Sequence, residues 1–236
     1  MKKSSCFLLV AALAVLPVAH AADITGVITL KGTPPAESDL GDTISASSPD
    51  CAAMYPAGKM PTTHFYVVGA KGELADVIVT LKGVTGKSTG VSAPSVVLDQ
   101  KGCVYVPGIF AVQTGQKIII KNSDTCIHNV HDISTAGNEE HNDPQMAGGA
   151  DLTYTFDKPE AFLKFQCDVH PWMKAWVTVV DSPYFAVSGK DGKFTIKNVP
   201  PGKYTVEASH RKLGAQTQEI EVKDGAANAN FTFEVK

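Results

Sequence analysis

The segment FLKFQCDVHPWMKAWVTVV, residues 162–180, combines two alternating apolar stretches with a turn that contains a histidine and a methionine. Apolar and polar residues alternate up to Cys167, which predicts a strand whose thiol points toward a core. The alternation resumes at Ala175 and predicts a second strand. His170 and Met173 fall in the turn between these strands. Closure of that turn would bring a nitrogen and a sulfur around the point that the thiol faces.

A second segment, GQKIIIKNSDTCIHNVH at residues 115–131, supplies a histidine that is distant in sequence. Its apolar run predicts a strand, the cluster at residues 122–124 predicts a turn, and a histidine follows. Two imidazoles and one thiolate in a plane, with a weak axial thioether, are the ligands of a blue-copper electron-transfer site. The two segments together predict a copper site made of His128, Cys167, His170 and Met173.

Residues 95–181 resemble the cupredoxins, most closely their amicyanin and plastocyanin branch. The resemblance rests on the two-residue spacings in the ligand turn and on the shared positions Gly115, Asn122, His128, Asn129, Cys167, His170 and Met173. It implies a Greek-key β-sandwich with one type 1 copper, in which His128, Cys167 and His170 are the strong ligands. Met173 would be the weak axial ligand, and Asn129 would steady the ligand turn by hydrogen bonds.

Each of these residues has a structural explanation when taken alone, since a cysteine can form a disulfide and a methionine usually fills a core. Other metal sites fit the pattern less well. A binuclear copper site needs a second cysteine between Cys167 and Met173, and a trinuclear oxidase cluster needs His-X-His pairs; the sequence has neither. Structural zinc favours four cysteine or histidine ligands without methionine. We therefore expect no enzymatic activity.

Segments near the two ends of the chain carry a different pattern. ITGVITLKGTPP (24–35) and ELADVIVTLKGV (73–84) resemble the first half of a carboxypeptidase regulatory-like domain, a small transthyretin-like sandwich. SGKDGKFTIKNVPPGKYTVEASH (188–210) resembles its second half, with turn signals at Asp191–Gly192 and at residues 200–202. These segments show no paired acid and base and no nucleophile arrangement that would indicate catalysis.

The two resemblances predict an all-β chain in which one sandwich is inserted into another. Residues 22–93 and 182–236 would form the discontinuous regulatory-like sandwich, and residues 94–181 would form the cupredoxin domain. An insertion is tolerated where its two ends emerge close together at an exposed loop. Two or three domains in succession along the chain are the alternative.

Residues 1–21 are typical of a secretory signal peptide, because Lys2 and Lys3 precede an apolar run and a small-residue cleavage site at Ala21. The apolar run is too short to span a bilayer, and no later stretch is long enough. Cleavage would leave 19 of the 21 basic residues against 24 acidic ones, so the formal charge would change from −3 to −5. We therefore expect an exported, periplasmic protein that does not bind nucleic acid.

Four cysteines follow this leader, and an oxidising compartment allows three ways of pairing them. Because Cys167 belongs to the ligand motif, we predict a disulfide between Cys51 and Cys103. The bond would join a loop of the outer sandwich to the first strand of the inserted domain. Cys126 lies two residues before His128 and has two readings: a buried thiol, or a disulfide partner that competes with copper for Cys167.

The function predicted from these features is the transfer of single electrons between redox proteins, through the exposed edge of His170. Pro171, Trp172 and residues 107–110 could frame an apolar docking patch, or they could fill the core. A copper-binding or copper-delivery protein is the alternative, and an interaction module is a third reading. A second metal site could form from three further histidines, His64, His131 and His141. Exposed histidines, however, usually bind no metal. The sequence assigns neither the redox partner nor the oligomeric state.

Overall fold

The computed structural model describes residues 20–56, 59–223 and 225–235. The signal peptide predicted for residues 1–21 lies outside these ranges except for its last two residues. Within them, no helix is both long and apolar enough to cross a membrane. Strands dominate and the helices are short, so the prediction of an all-β chain is confirmed.

Apart from residues 32–77, which contain two short α-helices, strands follow one another along the described chain. The elements, in chain order, are β1 (Ala22–Lys31), α1 (Gly41–Ser47), α2 (Pro49–Ala53), β2 (Ile78–Leu81), a 3₁₀ turn (Gly90–Ser92), β3 (Val96–Gln100), β4 (Tyr105–Val106), β5 (Ile109–Gln113), β6 (Ile118–Asn122), β7 (His128–Ile133), β8 (Asn142–Gln145), β9 (Leu152–Tyr154), β10 (Glu160–Gln166), β11 (Lys174–Val180), β12 (Phe185–Val187), β13 (Lys193–Val199), β14 (Gly202–His210), β15 (Gly214–Val222), β16 (Ala227–Asn228) and β17 (Phe231–Glu234).

One sandwich, which we call the outer sandwich, takes strands from both ends of the chain. Its first sheet has the order β13-β1-β16, and β17 also pairs with β1. Its second sheet has the order β12-β2-β14-β15. The predicted turn before β13 contains Gly192 at a φ of +70°, which glycine adopts at little cost. Ile24, Val79, Ile196 and Val206 are fully buried in the core between the sheets.

The strands from β3 to β11 form a second sandwich with its own core, which we call the inner sandwich. Its sheets have the orders β4-β3-β6-β9 and β5-β11-β10-β7-β8. Leu163, Phe165 and Cys167 are all at most 1% exposed, as the alternation in sequence predicts. β10 is antiparallel to both β11 and β7, with Phe165 opposite Ala175 and Asp132. The end of β10 therefore lies beside the start of β7, where the distant histidine is found.

The chain enters and leaves the inner sandwich at neighbouring points. The backbone N–H of Lys87 donates to the carbonyl of Asp181 at 3.0 Å, and that of Gly86 donates to the Asp181 carboxylate at 2.6 Å. An inserted domain needs its two connections to emerge together in this way. We propose that residues 82–95 and 181–184 are these connections, close to the boundaries that the sequence predicts.

Residues 41–53 depart from the prediction that they belong to the outer sandwich. They form α1 and α2, and Ile44 and Cys51 are buried in the core of the inner sandwich. α2 starts at Pro49 after Ser48, whose hydroxyl accepts the N–H of Cys51 at 3.4 Å. Serine before proline is a favourable start for a helix. This local signal is independent of the apolar–polar alternation that predicts strands.

Cys51 and Cys103 form a disulfide with their sulfur atoms 2.00 Å apart. The pairing is the predicted one, but its place in the fold differs from the prediction. Cys51 lies on α2, and Cys103 lies in the turn between β3 and β4 with a φ of +50°. The bond therefore fastens the helical segment to the end of the inner sandwich.

Candidate metal centre

Donor atoms of three predicted ligands meet at one end of the inner sandwich. His128 begins β7, Cys167 follows β10, and His170 lies in the turn before β11. The Nδ1 atoms of the two histidines are 2.9 Å apart, and Cys167 Sγ is 3.8 Å from His170 Nδ1. The three donor atoms all lie within 4.8 Å of one another. Segments distant in sequence thus form one compact group of two nitrogens and a sulfur.

Met173 is held on the same turn by backbone hydrogen bonds. Its N–H donates to the carbonyl of His170 at 2.9 Å, and the N–H of Cys167 donates to the carbonyl of Met173 at 3.2 Å. The Met173 side chain is fully buried in the core that contains Cys167. This placement is compatible with the predicted axial role.

The Cys167 sulfur is surrounded by hydrogen-bond donors. The backbone N–H groups of Asn129 and His170 donate to it at 3.4 and 3.3 Å. Burial opposes the charged thiolate, but the neighbouring His128 imidazole and these two N–H groups outweigh it and lower the pKa of Cys167. The pocket therefore favours the thiolate, which is the form of cysteine that binds metals.

Asn129 joins the first histidine segment to the ligand turn. Its side-chain oxygen accepts the N–H groups of Asp168 and Val169 at 2.6 and 3.3 Å. Its side-chain nitrogen donates to Asn142 Oδ1 at 2.7 Å, and its own carbonyl accepts the hydroxyl of Tyr105 at 2.6 Å. The residue is thus placed to steady the turn, in keeping with the role that the resemblance implies.

Asp124 is a residue of this centre that the sequence analysis treated only as part of a turn. His128 Nε2 donates to its carboxylate at 2.9 Å, and the N–H groups of Gly102 and Cys103 donate to it at 2.6 and 2.7 Å. Burial alone would raise the pKa of Asp124, but the hydrogen bonds from His128 and from the two N–H groups lower it. Its position four residues before His128 was the available signal, but the surrounding Asn-Ser-Asp cluster is equally typical of a turn.

The donor set fits a copper ion. Because His128 donates through Nε2, its neutral ring keeps the Nδ1 lone pair for a metal. Burial disfavours the imidazolium form of His128, but Asp124 and Cys167 outweigh burial and raise the pKa of His128. The pKa of His170 is lowered, first by burial and then by the charge of His128. Two imidazole nitrogens, a thiolate-favouring cysteine and a buried thioether are the donor types of a blue-copper site.

The remaining candidate ligands lie elsewhere. His131 pairs with Asp168 at 2.9 Å and His141 pairs with Asp132 at 2.7 Å, so each has its own carboxylate. In the described residues, the groups with metal-ligand spacing include neither of them, nor His64. Cys126 has a free thiol near Cys103 and is not bonded to Cys167, so the disulfide that would compete with copper does not form.

The apolar surface near the centre differs from the patch that the sequence suggested. Phe110 is only 5% exposed and packs in the inner core, and Trp172 donates its indole N–H to the carbonyl of Cys103 at 3.0 Å. Exposed apolar side chains come instead from Ile127 and Val169, which directly precede His128 and His170 in sequence.

We expect Asp124→Asn to raise the reduction potential of the copper-loaded protein. The amide keeps the shape of the side chain but removes a buried negative charge hydrogen-bonded to His128, and that charge favours Cu(II) over Cu(I). A rise above about 50 mV, or roughly 1 kcal/mol, is expected by voltammetry. Asp151→Asn is the control, because the Asp151 carboxylate is 48% exposed and screened by solvent. Equal potentials for the two variants would contradict a role for Asp124.

Two sequence families match parts of the chain. Residues 93–180 match the copper binding proteins of the plastocyanin/azurin family, and residues 170–236 match the carboxypeptidase regulatory-like domain. Among curated proteins, none matches the chain.

Three solved structures illustrate what the chain is similar to. A Cu-containing nitrite reductase from Thermus scotoductus shares 23% identity over 37% of this chain, with a TM-score of 0.34; the match spans 23% of that protein's length. An amicyanin variant in the Cu(I) state shares 18% identity over 43% of this chain and 97% of its own, with a TM-score of 0.33. A purple cupredoxin from Nitrosopumilus maritimus shares 22% identity over 36% of this chain and 98% of its own, with a TM-score of 0.31.

The chain therefore contains a copper-binding cupredoxin domain and a carboxypeptidase regulatory-like domain, as the sequence resemblances predict. The first match coincides with the inner sandwich and its Cys/His group. The second match covers β12 to β17, which form the outer sandwich together with β1 and β2.

Proposed function

We propose that this protein is a periplasmic type 1 copper protein that carries single electrons between redox partners, without catalysis of its own. His128, Cys167 and His170 would hold the metal as strong ligands, with Met173 as the weak axial ligand. Bound copper would supply a one-electron couple between Cu(I) and Cu(II). The proposal places the protein outside the cytoplasm, after removal of residues 1–21.

The observation that carries this proposal is the hydrogen-bonded frame around the donor atoms. Cys167 Sγ accepts two backbone N–H groups, Asn129 ties down the ligand turn, and Asp124 fixes the ring of His128. Ligands held by paired strands and such partners move little when the charge of the metal changes. Small movement is what an electron carrier needs.

The surface beside the centre suits a brief encounter with a redox protein. Val169 is 51% exposed and Ile127 is 40% exposed, and each neighbours a histidine of the donor group. Apolar contacts of this kind serve transient complexes that bury less than about 1,200 Å². His170 is only 5% exposed, so the exposed ring edge that the sequence predicted is almost fully covered in the structure.

Copper delivery is the alternative function, and one observation favours it. The half-buried Cys126 thiol lies 3.6 Å from His128 Nε2, so a further soft donor is available beside the centre. Soft sulfur donors favour Cu(I). A delivery protein would have to release Cu(I) readily, whereas the buried donor group described above favours retention.

The experiment that separates the two functions is voltammetry of the copper-loaded protein with repeated cycling. We expect a reversible one-electron wave and full retention of copper in the presence of a modest Cu(I) chelator. Met173→Leu should raise the potential, because the axial sulfur stabilises Cu(II) and tunes the couple. Met146→Leu is the matched control, since Met146 is 62% exposed and should leave the potential unchanged. Prompt loss of Cu(I) to the chelator would favour delivery instead.

A further inference from the structure

A second cluster of soft donors lies beside the proposed ligand group, and the electron-carrier proposal does not use it. Cys51 and Cys103 are joined by the disulfide, and Cys126 Sγ lies 3.8 Å from Cys103 Sγ. Met54 Sδ lies 3.9 Å from the same Cys103 sulfur. The Cys103 sulfur therefore has three sulfur neighbours at the end of the inner sandwich: its disulfide partner, the Cys126 thiol and the Met54 thioether.

Separate elements fix the positions of these sulfurs. Cys51 lies on α2 and Met54 directly follows that helix, while Cys103 lies in the turn between β3 and β4. The backbone N–H of Cys103 is anchored to Asp124 at 2.7 Å, so its position does not depend on the disulfide alone. Cys51 and Cys103 are fully buried, whereas Cys126 is partly exposed and opens the cluster to solvent.

The spacing of the sulfurs suits a soft metal ion. Thiolate and thioether sulfurs select Cu(I) among the common metal ions. With metal–sulfur bonds of about 2.3 Å, three sulfurs in a plane lie about 4 Å apart. The Cys103–Cys126 separation of 3.8 Å already matches this value, and opening the disulfide would let Cys51 move to a similar distance.

We propose that Cys51, Cys103 and Cys126 form a Cu(I) site that is closed by the disulfide and opened by its reduction. A dithiol would supply two electrons and two protons, breaking the Cys51–Cys103 bond to give two thiols while the dithiol becomes a disulfide. Cu(I) would then replace the thiol protons, which pass to solvent, and would bind the three sulfurs with Met54 beside them. In the oxidised protein only Cys126 keeps a free thiol in this cluster, so Cu(I) finds no cage.

The metal would restore the cross-link that reduction removes. In the reduced protein, Cu(I) bound to sulfurs from α2 and from the β3–β4 turn would again tie these elements together. Binding to the folded form alone stabilises it by mass action. Copper uptake and resistance to unfolding should therefore rise together in the reduced protein.

The test uses the exported protein carrying Cys167→Ser, which lacks the thiolate of the proposed electron-transfer site. The protein is reduced with a dithiol without oxygen, freed of the dithiol by gel filtration, and titrated with Cu(I) against a chromogenic chelator. We expect the reduced protein to bind one equivalent of Cu(I) more than the oxidised protein. Adding Cys126→Ser should lower the Cu(I) affinity of the reduced protein more than tenfold. X-ray absorption of the bound copper should show sulfur neighbours only.

Equal Cu(I) uptake by the oxidised and reduced forms would overturn the proposal, as would uptake that Cys126→Ser does not change. Nitrogen neighbours in the absorption spectrum would place the metal on the histidines and would also overturn it. Circular dichroism monitors folding, and loss of the β-sheet signal in the reduced, Cu(I)-loaded protein would contradict a site that needs the native positions. Since Cys167 is absent throughout, these outcomes do not depend on the electron-carrier proposal.

Discussion

Cys167→Ser is expected to abolish the intense visible absorption of the Cu(II)-loaded protein. In a blue-copper site that absorption comes from charge transfer between a cysteine thiolate and Cu(II), and a serine hydroxyl cannot supply it. Cys167 is the buried cysteine whose sulfur belongs to the donor group with His128 and His170. The visible spectrum and the electron-spin-resonance spectrum of parent and variant, each loaded with one equivalent of Cu(II), measure the effect.

Cys126→Ser is the matched control for this change. Cys126 is the other free cysteine of the described chain, and its sulfur lies 3.6 Å from His128 Nε2, on the side of the ring opposite Nδ1. Because copper is expected on Nδ1, the control should keep the colour of the parent. Colour that survives Cys167→Ser and disappears with Cys126→Ser would move the metal to the neighbouring sulfur cluster.

The strands around the ligand turn could be predicted from the sequence because their alternation has one simple cause. A strand sends successive side chains to opposite faces, so one buried face imposes a period of two. Leu163, Phe165 and Cys167 before the turn, and Val177 after it, follow this rule and are buried. The family resemblances extend the prediction to both sandwiches, and the matches to the two families agree with them.

The helical segment could not be predicted by the same reasoning. α1 and α2 together are too short for a clear helical period, and their buried residues Ile44 and Cys51 contact strands that come more than 40 residues later. Contacts of this kind depend on the folded arrangement and leave no local pattern. The placement of residues 41–53 on the inner sandwich was therefore missed, although the cysteine pairing was foreseen.

The ligand set stays a prediction from sequence, to which the structure adds the surroundings. His128, Cys167 and His170 could be singled out because residue type and spacing together are specific. Asp124 could not be singled out, since an aspartate in a turn is common and only the fold shows its carboxylate against Nε2 of His128. For Phe110 the sequence left two readings open, a docking patch or core filling, and the structure places its side chain in the core.

Replacing both Cys51 and Cys103 by alanine is expected to lower the free energy of unfolding of the inner sandwich by about 4 kcal/mol. The bond joins residues 52 positions apart, and the loss of a cross-link of that length frees the unfolded chain by roughly this amount on the chain-entropy account. Such a loss is large beside the 5–15 kcal/mol typical of a folded domain. Urea unfolding of the metal-free protein, followed by tryptophan fluorescence, measures it. Both tryptophans, Trp172 and Trp176, lie in the inner sandwich or its ligand turn.

Two controls separate the cross-link from the loss of sulfur atoms. Cys126→Ala removes the neighbouring sulfur without opening the bond, so its effect should stay below about 1 kcal/mol. A dithiol should lower the free energy of unfolding of the parent protein toward that of the double variant. It should leave the free energy of unfolding of the double variant unchanged. If the unfolding curves of parent and double variant coincide without reductant, the disulfide does not form in the protein. The helical segment would then have to be held on the inner sandwich by the packing of Ile44 and its apolar neighbours alone.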